Sequence, residues 1–383
     1  MKAMLPPGKT IGILGGGQLG RMMALAAKAM GFRIAVMEPK SDSPTGQVAD
    51  EEVVATYDDR DGALQLAETC DVLTYEFENI DADTASFLEE KLYLPQGSKL
   101  LFTTQHRLRE KQAIEGADVP VAPYRGVKTE TDLTNALQEL KCPAVLKTCQ
   151  GGYDGKGQVV IKNEHEASEA FSVLGGGDRE LVLESWIPFE KEISVIVTRS
   201  TTGEITTFPV GENVHQHNIL HQTIVPARIS SQTKDKAERI ARRLAEKLEL
   251  IGTLAVEMFV INEGTIYVNE LAPRPHNSGH YTIEACETSQ FAQHIRAVCG
   301  WPLGETALLK PVVMTNILGQ HLSPVYENLK DLAKQGHVHL YGKEEAKHGR
   351  KMGHWTVLGE SVEDALDRTE NIWKTVSNAE QDN

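Results

Sequence analysis

YVNELAPRPHNSGH, residues 267–280, decides how this chain reads. It opens as an apolar strand and carries Asn269 and Glu270 at its end. It then passes through two prolines into a stiff polar loop holding Arg274, His276, Asn277 and His280. Glutamate and asparagine offer hard oxygen ligands of the kind Mg²⁺ takes. An arginine and a histidine just beyond can hold a small anion beside the metal. Upstream runs TLAVEMFVI, a second strand with Glu257 at its centre. Met258 to Asn269 reads as a hairpin with its turn at 262–264. Two neighbouring strands, each turning a carboxylate to one site, make a metal–phosphate platform. Scattered surface charge does not account for a loop with so little ordinary turn filler.

Working outward, the first hundred residues alternate strand and helix. TIGIL (10–14), RIAVME (33–38) and VLTYE (72–76) read as strands. Helical stretches cover 18–30, 59–69 and 81–91, so a parallel sheet clad by helices is expected. A helix over 104–116 marks a transition. The middle of the chain changes character. AVLKT (144–148) and QVVIK (158–162) flank a glycine-rich loop, with a helix over 164–173 and a strand LVLESWI (181–187) after it. ISVIVTR (193–199) and ITTFPV (205–210) form a hairpin, and DKAERIARRLAEKLELI (235–251) is a long amphipathic helix. This region reads as α+β with antiparallel strands. From about 300 a tail carries strands at 311–319, 337–342 and 354–359 and a last helix over 361–376.

The bulk numbers restrict the partners. The chain has 383 residues, enough for two or three domains. Its net charge of −15 argues against non-specific nucleic-acid binding, so any anionic ligand needs a local basic cluster. Five cysteines without a CxxC pair speak against a disulfide framework or structural zinc, and fit a reducing cytoplasm. No apolar run reaches membrane-spanning length, and MKAMLPPGKTIGIL is not a secretion signal.

Four further constellations carry chemistry. Gly15 to Gly20 fits GxGxxG between a strand and a helix, with Glu38 ending the next strand. This permits a nicotinamide oxidoreductase, but the physical content is only an anion at a helix N-terminus, which a sugar phosphate can use equally. Gly151-Gly152-Tyr153-Asp154-Gly155-Lys156-Gly157-Gln158 is a second glycine loop. It lies between two strands and is not a Walker A motif, yet its backbone N–H groups can close over phosphates, with Lys147 aimed at the same place. His215, His217 and His221 form HxHxxxH in what reads as a polar loop with little order. Individual polar contacts fit it better than zinc, since no cysteine joins it. Lys343, Arg350 and Lys351 form a basic loop in an acidic chain and can clamp a phosphate monoester.

In their order along the chain, GGGQLGRM (15–22), YEFENI (75–80), GGYDGKGQ (151–158), NELAPRPHNSGH (269–280) and GRKMGH (349–354) resemble the ATP-grasp superfamily. Within it they are most similar to the N5-carboxyaminoimidazole ribonucleotide synthetases. The resemblance covers nearly the whole chain. It implies a Rossmann-like pre-ATP-grasp domain (1–104), a two-lobed ATP-grasp domain (105–300, small lobe about 118–184) and a small C-terminal domain (301–383). By motif position, Arg107 and Lys147 would contact the phosphates of ATP, with residues 152–158 closing over them. Glu184, Ser185, Trp186 and Ile187 would hold adenine, Glu192 the ribose, and His215 a further part of ATP. Glu257 and Glu270 would bind Mg²⁺, assisted by Asn269. Arg274, His276 and Asn277 would surround bicarbonate or carboxyphosphate, and Asp154 would orient or deprotonate the substrate amine. Gln18, Leu19 and Glu76 would line the ribonucleotide pocket, with Lys343, Arg350 and Lys351 on its phosphate. The implied reaction is ATP- and bicarbonate-dependent carboxylation of 5-aminoimidazole ribonucleotide in purine biosynthesis, by a cytoplasmic homodimer. The related formate-dependent glycinamide ribonucleotide transformylases share the architecture but differ after PRPH, where this chain continues Asn277-Ser278-Gly279-His280. A catalytically silent adenylate sensor is a third alternative, disfavoured because a sensor has no need of paired metal carboxylates.

Overall fold

The computed structural model describes residues 4–152, 155–262 and 264–378. Three sheets organise them. The first is parallel, in the order Glu51–Val54, Arg33–Glu38, Thr10–Leu14, Val72–Tyr75. Its strands are nearly continuous runs of buried Ile, Val, Leu and Met, as a sheet covered on both faces requires. Glu51–Val54 was not expected from the sequence, because EEVV has two charged residues and lies on the sheet edge.

The second sheet is antiparallel, in the order Tyr124–Val127, Leu181–Ser185, Ala144–Thr148, Gln158–Ile161. Helices Glu130–Leu140 and Ala167–Val173 cover its inner face through Leu133, Leu137 and Phe171. A Thr129–Asp132 capping box starts the first of them. Thr148 and Gln158 bracket the glycine loop, which the ladder between the two strands closes at its foot: Thr148 N donates to the Gly157 carbonyl at 2.9 Å.

The third sheet runs Thr265–Ala272, Gly252–Asn262, Lys191–Arg199, Gly211–Gln216, Ile219–Val225, Val312–Leu318, Lys351–Leu358, His337–Leu340, with Ile205–Thr207 paired to Lys191–Arg199. Helix Ser231–Lys247 packs Ala237, Ala241 and Leu244 against it. Ser230 caps that helix on Thr233 N, so it starts four residues before the expected 235. One feature adds to the sequence reading and a second corrects it. The tail strands from 312 onward extend the central sheet, through pairing of Ile219–Val225 with Val312–Leu318, and add their own core around Trp355. The HxHxxxH region, expected to be a loop with little order, is a hairpin in that sheet. His217 and Asn218 turn it at φ of 50° and 63°. A two-residue loop of type I′ needs positive φ at both central residues, and no glycine announces it here.

Candidate active site

The site begins where the two acidic strands meet. Glu257 pairs in register with Glu270, and the next pair is Met258 with Val268. Asn269 is therefore the extra residue of a β-bulge. A bulge breaks strict alternation and re-aims side chains, so Asn269 and Glu270 are freed from pointing to opposite faces. Burial, with Glu270 and Glu192 nearby, pushes the Glu257 carboxyl well above the usual carboxylate range. Such like-charge crowding is what a divalent cation relieves, and the donors are hard oxygens, so this pair fits Mg²⁺.

His276 Nε2 lies 3.0 Å from Glu257 Oε1. Its Nδ1 accepts from Ser278 N at 3.3 Å, which places the ring proton on Nε2, toward the carboxylate. Arg107, at the start of helix Arg107–Gly116, donates from Nη1 to Glu270 at 3.3 Å. A Cβ placed on Gly152 would sit 3.7 Å from Arg107 Nη2, so the foot of the glycine loop and the acidic strands share one guanidinium. The loop reaches further: a Cβ on Gly155 would stand 2.6 Å from the Asn218 Cβ, at the tip of the 211–225 hairpin. Lys156 and Gly157 complete the described part of this loop; Tyr153 and Asp154, assigned above to ATP and to the amine, lie outside the described residues.

Lys147, next to last in its strand, is buried and donates to Glu184 Oε2 at 3.0 Å. Lys111, which no motif pointed to, lies 3.2 Å from the other oxygen of Glu184. Although burial opposes it, the two ammonium groups and Arg107 hold the Glu184 carboxyl down at about 2. The Glu184 side chain is thus a buried counter-ion, while Ser185 ends that strand and Trp186 follows it. Ile187 follows them, and Glu192 Oε2 lies 2.6 Å from His215 Nδ1, so those two expected ATP residues stand together. His217 and His221 do not join His215 in a metal site. Among the described residues, the one group of three His, Cys, Asp or Glu side chains with ligand atoms within 4.8 Å of one another is His106, Cys149 and Glu180.

A cleft of about 390 Å³ opens beside the acidic strands. It gathers Gln18, Leu19 and Glu76 from the N-terminal sheet, Arg274, His276 and Asn277 from the PRPHN loop, and Lys343, Arg350 and Lys351 from the basic loop. Gln47 Nε2 donates to the Gly342 carbonyl at 2.9 Å and ties the basic loop to the first domain. Burial, with Arg350 and Lys351 nearby, brings the Lys343 ammonium down to about 8. Arg274 is clamped by Glu78, from Nε at 2.5 Å and Nη2 at 2.9 Å.

Two expected roles change. Asn277, expected on the anion, has its amide occupied: Nδ2 donates to Asn316 at 2.9 Å, and Asn316 donates back at 2.7 Å. It fixes the loop to the tail strand Val312–Leu318. Glu76 accepts from Gly17 N and from Gly20 N at 2.7 Å, while Glu38 accepts from Gly16 N at 2.8 Å and from the Tyr57 hydroxyl. The amides of Gly16, Gly17 and Gly20 are therefore already bonded to the chain's own carboxylates. A dinucleotide pyrophosphate would meet two acidic groups there, which removes the physical basis of the nicotinamide reading.

A carboxylate pair suited to a metal, a glycine loop from a four-stranded lobe and a basic cleft beside the acidic strands mark an ATP-grasp enzyme. Family models agree: residues 112–291 match the ATP-grasp domain, 8–105 the ribonucleotide synthetase preATP-grasp domain, and 312–368 the phosphoribosylaminoimidazole carboxylase C-terminal domain. The N5-carboxyaminoimidazole ribonucleotide synthase of Bacillus subtilis is 55% identical over 372 residues, 97% of each chain. That of Staphylococcus aureus strain COL is 46% identical over 93% of this chain and 94% of its own. A crystal structure of an ADP complex of an N5-carboxyaminoimidazole ribonucleotide synthetase, 57% identical, superposes with a TM-score of 0.95 over 100% of both chains. The Aspergillus clavatus N5-carboxyaminoimidazole synthase in complex with ADP and 5-aminoimidazole ribonucleotide is 31% identical, with a TM-score of 0.90 over 97% of this chain and 99% of its own. This chain belongs to the N5-carboxyaminoimidazole ribonucleotide synthase family.

Proposed function

We propose that the chain carries out the reaction its relatives are named for: ATP-dependent carboxylation of 5-aminoimidazole ribonucleotide to N5-carboxyaminoimidazole ribonucleotide, a ligase step of purine biosynthesis. Bicarbonate attacks the γ-phosphate of ATP, giving carboxyphosphate and ADP, and the substrate amine takes the carboxyl group as phosphate leaves. The single observation that carries this reading is the cleft itself. It joins Arg274 and His276, next to the Glu257–Glu270 pair, with a three-residue cationic clamp for a phosphate monoester.

Glu257 and Glu270, with Asn269, would hold Mg²⁺, which supplies charge neutralisation for phosphoryl transfer. Arg107 and Lys147 bind the polyphosphate; both are already oriented by carboxylates, to Glu270 at 3.3 Å and to Glu184 at 3.0 Å. The strand end 184–187, with Glu192 and His215, takes the nucleoside. Arg274 and His276 hold bicarbonate and then carboxyphosphate, and Asn277 locks their loop. The 151–158 loop closes over the phosphates and keeps water from a labile acyl phosphate. Lys343, Arg350 and Lys351 bind the ribonucleotide phosphate, with Gln18, Leu19 and Glu76 beside it. Asp154 orients the amine. The enzyme works in the cytoplasm as a homodimer, with domains over 1–104, 105–300 and 301–383.

The test is ADP release with a panel of amine ribonucleotides. Turnover should need bicarbonate and 5-aminoimidazole ribonucleotide together, or rise strongly with both. Turnover that instead required formate and glycinamide ribonucleotide would replace this reading with the transformylase one.

A further inference from the structure

Arg274 is held from behind by a residue that no motif reading assigned a role. Nε and Nη2 of its guanidinium both donate to Glu78, at 2.5 and 2.9 Å, and Nη1 donates to the Pro275 carbonyl at 3.2 Å. A guanidinium carries five N–H donors in a fixed plane. Three are committed, and two remain for a ligand. Glu78 sits 196 positions earlier in the chain, in the first domain, and does not itself line the cleft. Its own backbone is braced: Gln105 Nε2 donates to the carbonyls of Glu78 at 2.7 Å and Ile80 at 2.6 Å. Two residues past Gln105 stands Arg107, which pairs with Glu270. The short segment 105–107 thus sets both the Glu78 clamp and one of the two acidic strands.

We propose that Glu78 is a positioning residue for carboxylation. It holds Arg274 in one orientation, with two N–H groups left to meet the oxyanion of bicarbonate and then of carboxyphosphate. The inference rests on the reading of Arg274 given above. Planar, two-point recognition of an oxyanion depends on direction as much as on charge, and a lysine or a loosely held arginine does not supply it. Glu78 also partly offsets the guanidinium charge, so an anion gains most when it meets the remaining donors squarely. The perturbation should therefore appear in steps that involve bicarbonate and leave ATP binding alone.

The experiment uses the full-length enzyme with four variants: Glu78→Ala, Glu78→Asp, Arg274→Ala and the Glu78→Ala/Arg274→Ala double. ADP release gives kcat and the KM for bicarbonate and for ATP, and calorimetric ADP binding reports on the nucleotide lobe. Glu78→Ala should lower kcat/KM for bicarbonate by about 10- to 100-fold, the usual loss when a group that orients a ligand-binding side chain is removed. KM for ATP and ADP affinity should stay within about twofold, because Glu78 has no part in that lobe. Glu78→Asp keeps the charge and should recover part of the loss. The double variant should be no worse than Arg274→Ala alone, since a clamp has no value without the group it clamps. A damaged Arg274→Ala beside a near-normal Glu78→Ala overturns the inference. So do fully additive losses in the double variant, or a parallel loss of ADP affinity in Glu78→Ala. An undamaged Arg274→Ala instead brings down the reading of Arg274 itself, and the inference with it.

Discussion

Raising the pH from 7 to 9 should weaken the enzyme's hold on its ribonucleotide about tenfold through one side chain, Lys343. Burial comes first, with Arg350 and Lys351 adding to it and Glu76 opposing, and together they bring this ammonium to about 8 in the unliganded protein. With that value the charged fraction is about 0.9 at pH 7, one half at pH 8 and about 0.1 at pH 9. The phosphate monoester is already a dianion over this range, because its second ionisation lies near pH 6. If only the charged amine binds it, the KM for 5-aminoimidazole ribonucleotide climbs by about the ratio of those fractions, roughly tenfold. The sign is fixed: affinity is full below pH 7 and is lost as pH rises through 8. Lys343→Arg supplies the control, since a guanidinium keeps its proton throughout and its KM profile should stay flat. The assay is initial-rate ADP release at saturating ATP and a constant bicarbonate concentration. A wild-type KM that stays within twofold from pH 7 to 9 refutes the reasoning. So does a Lys343→Arg profile that rises in parallel with wild type, because another group would then be titrating.

Glu270→Gln should lose at least about 100-fold in turnover, since a metal ligand in phosphoryl transfer supplies several kcal/mol, while thermal melting shows an intact fold. Retained activity removes Glu270 from the mechanism. Gly155→Ala should raise the KM for ATP and the wasteful hydrolysis of ATP. Gly155 sits at φ 77° with the Asn218 Cβ only 2.6 Å from where its own would be, and left-handed strain alone costs about 1–2 kcal/mol. Adding Asn218→Gly should restore part of this, and no change in either quantity would show that the contact is not used in closure. His294 is buried, accepts from Thr253 N at 3.1 Å, and is brought down to about 3 by burial. Its unfolded value is near 6.5, so the stability it confers is full above pH 6.5 and is lost as pH falls from there toward 3, by up to about 1.4 kcal/mol per pH unit. Denaturant titrations should show that slope in wild type and a shallower one in His294→Asn; equal slopes would exclude His294 as the source.

The strands of the first domain were legible because buried parallel strands are written as unbroken apolar runs, and Thr10–Leu14 and Arg33–Glu38 fall where their residues put them. The 104–116 helix was legible only in part. Its body is Arg107–Gly116, started by His106 in extended conformation, and a separate helix Lys99–Thr104 precedes it. At the site, the acidic strands and the basic loop announced themselves through residue type and spacing. What stayed hidden was partnership. Lys111 lies in a helix that reads as ordinary polar surface, and it is buried only because Glu184 waits behind it. Asn277 looked like a ligand-binding amide until Asn316, 39 positions on, claimed both ends of it. The pairing of Glu38 and Glu76 with glycine amides has the same origin, since each joins segments that only the fold brings together. Long-range polar pairing leaves no periodic trace, whereas burial and turn chemistry do.

That hidden pairing also bears on how a chain of net charge −15 would hold the anionic ligands proposed for it. A lone buried cation would be costly, and a strongly positive cleft would bind any anion in reach. Here each principal cation has its own carboxylate: Arg107 with Glu270, Arg274 with Glu78, and Lys147 with Glu184. The two arginine pairs keep their charge in the working range, because Arg107 and Arg274 are held above the usual arginine value by their carboxylates, against burial, while burial brings the Lys147 ammonium down and Glu184 is held at about 2. Each guanidinium keeps further donors for a ligand. Lys343 is built differently. It has no carboxylate at ion-pair distance among the described residues, and its ammonium donates to the Lys351 carbonyl at 2.8 Å. Its charge is therefore the one in the cleft that rising pH removes first. The part of the cleft assigned to the ribonucleotide is the one whose cation titrates near neutrality, while the part assigned to ATP and bicarbonate is preset by paired charge.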